Sequence, residues 1–243
     1  MFDKRGINHV EVILSFVLFV VAIAFALVFF NPGNSDNLID TSMGYVFSEI
    51  VRASEIPFEV VNIKINNDNE GIEGIEILAL DISGIPAGLN SKVETSEGMV
   101  LDSSRDGDVV SVFSDVGWKE IEFVSVSFSE EFEKGSVGAG VFNEEYYEIS
   151  SSEKRKVISE KRILELSRKY RTDYEGLKEE FNLPNRINFG YRLVFSEEEK
   201  IEGLREIPSN LDSFVEARRV EVLKENEGGE LVLVFAKLEV ILW

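Results

Sequence analysis

At 243 residues, with 44% hydrophobic and 11% aromatic content, the chain can bury a real core, which excludes an intrinsically disordered protein. Its formal charge of −20 repels phosphate backbones and argues against nucleic acid as a partner, and the absence of cysteine excludes a disulfide-stapled scaffold. The one histidine is His9, so residues 10–243 lack both His and Cys, which removes histidine-dependent triads, cysteine nucleophiles and histidine-ligated zinc.

In chain order, the first predicted element is an apolar run from Val12 to Phe30 with Ser15 as its one polar residue. At 1.5 Å per residue it covers about 28 Å, which predicts a transmembrane helix. Lys4 and Arg5 ahead of it, and the Asn31-Pro32-Gly33 break behind it, predict a single-pass protein with a cytoplasmic N-terminus and an extracellular domain. A cleaved secretory signal and a plain signal anchor are the competing readings of the same run.

The residues before the run are Lys4, Arg5, Gly6, Ile7, Asn8, His9, Val10 and Glu11. This order resembles the processing site of type IV pilins, especially the archaeal ones with class III signal peptides. The resemblance covers about the first thirty residues. It implies cleavage between Gly6 and Ile7 by a prepilin-type signal peptidase, with Lys4, Arg5, Gly6 and Ile7 forming the site. It also implies that Glu11 becomes the fifth mature residue, the family's acidic position. Asn8 departs from the family, which carries an apolar or small residue there. Independently of the resemblance, a carboxylate beside an apolar helix is costly unless paired, and such a cut would place a new ammonium one turn from Glu11. The partners implied are the membrane, the peptidase and like subunits.

Residues 31–53 read as a linker over Asn31–Asn37, then a short helix with Ile39, Met43, Phe47 and Ile50 at helical spacing. Residues 55–150 read as β-rich. Val61, Ile63 and Ile65, and later Val124, Val126 and Phe128, alternate with polar neighbours, and turn residues lie at 66–71, 84–88 and 106–108. Gly135, Gly138 and Gly140 lack the spacing and lysine of a phosphate loop and read as a loop or bulge. Asn66, Asp68, Glu70 and Gly71 imitate the start of a calcium loop, but Ile77 stands where its bidentate Glu belongs.

Residues 151–243 turn helical between Lys154 and Phe181, with Ile163, Leu166, Tyr170, Tyr174, Leu177 and Phe181 on one face and a capping-box break at Thr172 and Glu175. A strand at 189–195 and a hairpin of 220–222 with 231–242 follow. The fold class expected is α+β: one transmembrane helix, a β-rich ectodomain, a helical pair and a C-terminal β-hairpin. Residues 55–150 and 151–243 read as two units, with one continuous α+β domain as the alternative.

Lys154, Arg155, Lys156, Lys161, Arg162, Arg168, Lys169 and Arg171 stand against Glu160 and Glu165 alone, so 8 − 2 gives +6 inside an acidic chain. They read either as a solvated helix face or as a docking surface for an acidic neighbour. No catalytic, metal or cofactor site is expected. The functional expectation is a pilin-like structural subunit of a surface filament or related secretion assembly. The alternative is an anchored binding or adhesion domain that does not polymerise.

Overall fold

A computed structural model describes residues 4–29 and 35–243, and the side chains of 12–24 and 41–243. Helix α1 covers Lys4–Phe29 and α2 covers Ser35–Ser54. Thirteen strands follow among the described residues: β1 (Glu55–Ile65), β2 (Ile77–Asp81), β3 (Asn90–Thr95), β4 (Val100–Leu101), β5 (Ser103–Asp106), β6 (Val109–Phe113), β7 (Phe123–Ser129), β8 (Val141–Phe142), β9 (Tyr147–Ser159), β10 (Phe189–Val194), β11 (Lys200–Gly203), β12 (Phe214–Glu225) and β13 (Leu231–Leu242). Helices α3 (Glu160–Thr172) and α4 (Tyr174–Glu180) sit between β9 and β10.

Nine strands form one sheet in the order β11-β10-β13-β12-β9-β1-β7-β3-β4, and four form a second in the order β5-β6-β2-β8. The large sheet runs unbroken through residue 150, which lies inside β9. Its pairings are antiparallel except that of β12 with β9, where two residue pairs, Val222 with Ile158 and Leu223 with Ser159, run parallel. β1 and β9 pair over the full length of β1, with a register shift at Asn62/Ile63.

The odd residues of β1 (Val61, Ile63, Ile65) join Val93, Val124, Val126 and Phe128 against Leu78, Leu80, Val110 and Val112 of the second sheet. This is the two-layer solution for strands apolar on one side. Farther along, Phe189, Tyr191, Leu193, Val222, Leu238 and Val240 are covered by Met43, Val46, Phe47 and Ile50 of α2 and by Ile163, Leu166, Tyr170, Tyr174 and Leu177 of α3 and α4. A smaller cluster on the reverse side joins Ile56, Phe58, Phe132, Val157 and Leu223.

Several expectations are corrected. Among the described residues no helix is long and apolar enough to cross a membrane. That overturns the transmembrane helix, the signal peptide and the single-pass topology with a cytoplasmic N-terminus and an extracellular domain. Residues 12–24 of α1 are exposed. The α+β description gives way to a β-rich architecture dominated by the nine-stranded sheet. The expected linker overlaps α2, which starts at Ser35, while residues 30–34 lie outside the described ones. Lys154–Ser159 belong to β9, and α3 begins only after Ser159, whose side chain accepts from the Arg162 N–H at 3.0 Å. Between α3 and α4 the cap is Asp173, accepting from the Gly176 N–H at 3.1 Å, one residue later than the capping-box reading placed it.

The glycine loop serves close packing. A Cβ on Gly135 would lie 1.5 Å from the Ser103 carbonyl oxygen, and one on Gly140 2.8 Å from the Ala79 nitrogen, so the loop backbone presses directly on β5 and β2.

The helix-covered core holds an aromatic group. Tyr170 meets Tyr174, Phe189 and Tyr191 edge-on at 4.9, 5.5 and 6.0 Å, and its hydroxyl donates to the Phe189 carbonyl at 2.6 Å. Burial pushes the phenols of Tyr170, Tyr191 and Tyr174 above their ordinary value. A folded-state pKa above the unfolded one means that the folded chain holds more protons at alkaline pH, so stability is full below about pH 10 and falls above it. Urea midpoints should therefore drop above about pH 10, and Tyr170→Phe should flatten that drop. Parallel pH profiles for parent and variant would contradict the assignment.

Candidate interaction surfaces

The cations that cluster in sequence separate in space. On β9, Lys154 faces Glu59 at 3.2 Å and donates to the Gly84 carbonyl at 2.9 Å, while Lys156 pairs with Glu55. Arg155 points to the other face, 3.2 Å from Glu221 and with its guanidinium 5.6 Å from the Phe58 ring centre. Glu59 is only 4% exposed, so Lys154 neutralises a charge that would otherwise be buried alone.

On α3 the apolar face of Ile163, Leu166 and Tyr170 turns inward, leaving the remaining cations at the surface or along its margin. Arg162 pairs with Glu130 and donates to the Glu55 carbonyl at 2.8 Å, and Lys169 pairs with Glu180. Arg171 donates to Ser167 Oγ at 3.2 Å. The side chains of Lys161 and Arg168 have no ion-pair or hydrogen-bond partner among the described residues. With Leu164 and Glu165 they line a groove of about 1000 Å³ whose other walls include Glu130, Glu133 and Glu230. Glu160, at the rim, has its carboxyl pushed up by burial, offset by the Glu225 N–H that it accepts at 3.0 Å. Six of the eight cations thus bind partners within the chain, which favours a solvated, internally paired role for them over one continuous docking surface.

Among the described residues, helix α1 is the largest exposed apolar element. Val12, Phe16 and Phe19 are 68, 66 and 62% exposed, and Ile13, Leu14, Val17, Leu18, Val20, Val21 and Ile23 are exposed as well. Consecutive helical residues turn by about 100°, so this run leaves apolar side chains on every side of the helix. The side chains of Lys4, Arg5, Gly6, Ile7 and Glu11 lie outside the described residues.

A further surface, at β12, was not expected from the sequence. One edge of β12 pairs with β13 from Phe214 to Glu225, whereas the other meets β9 at Val222 and Leu223 alone. Residues 214–221 therefore present an unpaired edge among the described residues. Phe214 and Val215 are exposed on it, Glu216 accepts from Arg218 Nε at 2.6 Å, and Arg219 lies 3.9 Å over the exposed ring of Phe235. Phe214-Val215-Glu216-Ala217-Arg218-Arg219-Val220 does not alternate between apolar and polar residues, so the strand is read only from 220 onward.

The calcium-like segment is a turn in which Asn69 accepts from the Gly71 N–H at 2.9 Å. Among the described residues no group of three or more His, Cys, Asp or Glu side chains is arranged to hold a metal ion. No protein family, characterised protein or solved structure matches the chain.

Proposed function

We propose that this protein is a structural subunit, pilin-like in plan, that assembles with like subunits into a filament or related assembly by packing α1 helices together. The observation that carries the reading is the exposure of large apolar side chains on every side of α1. A helix apolar all round is stable in water only when something covers it, and neighbouring copies of the same helix supply the matching surface. The β-rich body, which carries most of the −20 charge, would then stand outside the helical bundle.

That charge makes the test specific. Subunits of like net charge repel one another, and the screening length falls from about 30 Å at 0.01 M salt to about 8 Å at 0.15 M. The purified full chain should shift from small species to polymer over that range, as read by sedimentation and electron microscopy. A chain that stays monomeric at every ionic strength would overturn the reading.

A further inference from the structure

We propose that β12 of one copy pairs antiparallel with β12 of a second copy, about a twofold axis through Ala217, joining two large sheets into one. This rests on the reading that the chain assembles with its own copies and names a contact beyond α1.

The first ground is the edge itself. Sheets protect their edges by keeping them short, charged or covered. The outermost strands, β4 and β11, are short, covering 100–101 and 200–203. The free part of β12 runs from 214 to 221, and its exposed residues include Phe214, Val215, Ala217, Arg218 and Arg219.

The second ground is register. Two copies of one strand in a continuous antiparallel sheet are related by an axis perpendicular to the sheet, so each residue faces one of its own parity. An axis through Glu216 sets Glu216 against itself, and one through Arg218 sets Arg218 against itself; like charges directly opposite are destabilising. An axis through Ala217 places Glu216 opposite Arg218, Phe214 opposite Val220 and Val215 opposite Arg219, each twice, with the small Ala217 side chains meeting at the centre. Glu216 and Arg218 are paired within one chain, with Arg218 4.3 Å over the Phe47 ring, and would form a four-charge cluster across the axis. The face carrying Phe214, Glu216, Arg218 and Val220 is self-complementary in that register, which identifies a second copy as the occupant.

The chain's lack of cysteine allows a direct test in the full-length protein. Residues opposite one another in an antiparallel pair have Cα atoms about 4.5 or 5.5 Å apart, within disulfide range. Ala217→Cys should therefore give a disulfide-linked dimer under mild oxidation, while Lys237→Cys, exposed on β13 and paired on both sides, should not. Adding Glu216→Arg to Ala217→Cys should cut the dimer about tenfold by placing Arg opposite Arg218, and adding Arg218→Glu as well should restore it. Circular dichroism confirms that each variant is folded. No linkage at 217 in a folded chain, equal linkage at 237, or failure of the charge swap to restore the dimer would each overturn the pairing. Pelleting read in parallel separates the two interfaces: polymer without the 217 linkage sinks this contact alone, and the linked dimer without polymer sinks the α1 reading alone.

Discussion

A full-length chain carrying Phe16→Glu and Val20→Glu should fail to polymerise under salt conditions where the parent does. The two positions lie one turn apart on α1, and both side chains are exposed in the single chain, so the substitutions remove no contact from the folded body. In a bundle of α1 helices they become buried carboxylates without partners, each costing several kcal/mol in effective terms. Two per subunit amount to a loss of at least about a thousandfold in the association constant. Sedimentation decides the matter, and an unchanged urea midpoint confirms that the body is intact. Polymer yield equal to that of the parent would show that α1 does not hold the assembly together.

Phe189→Ala should be among the most damaging single truncations in the folded body. Phe189 is fully buried, stacks on Tyr174 at 5.6 Å, and meets Tyr170 and Phe181 at 5.5 Å. Its backbone is held at both ends, since Tyr170 donates to its carbonyl and its N–H donates to Tyr174 Oη at 3.0 Å. The ring therefore cannot be replaced by collapse of its neighbours, and the expected loss is about 3–5 kcal/mol in urea unfolding. Phe235→Ala is the control: that ring is 56% exposed, and its loss should cost no more than about 0.5 kcal/mol. Similar losses from the two substitutions would contradict the core assignment.

The parts of this fold legible in the sequence are those where one side chain pattern meets one buried face. Ile163, Leu166, Tyr170, Tyr174 and Leu177 keep a helical period because α3 and α4 lie on the sheet, and Val124, Val126 and Phe128 keep a period of two because β7 is covered on one side. β9 was not legible. Residues 148–154, Glu-Ile-Ser-Ser-Ser-Glu-Lys, are exposed, and the strand is held by its backbone pairing to β1, which leaves no apolar alternation to read. That omission moved the start of α3 and made one helical face of cations that in fact divide between a strand and a helix. The sequence shows the cations themselves, but the carboxylates that answer them, Glu55 and Glu59 of β1, Glu130, Glu180 and Glu221, come from four separate stretches of chain. The free edge of β12 was hidden for a related reason, because it exists only where β9 turns aside to follow β1.

The packing of α2 has a consequence for synthesis on the ribosome. Met43, Val46, Phe47 and Ile50 emerge early, yet the strand that covers them with Ala236, Leu238, Val240 and Leu242 is β13, nearly two hundred residues later. β1, which follows α2 directly, pairs instead with β7 and β9. A growing chain can thus build the two-sheet half while the apolar face of α2 has α3 against it but still lacks the sheet. Contacts of such long sequence separation form late, and an apolar surface left waiting invites capture by chaperones or by other nascent chains. Translation stalled between residues 160 and 230 leaves this protein at its most aggregation-prone, and completion of β13 ends that exposure.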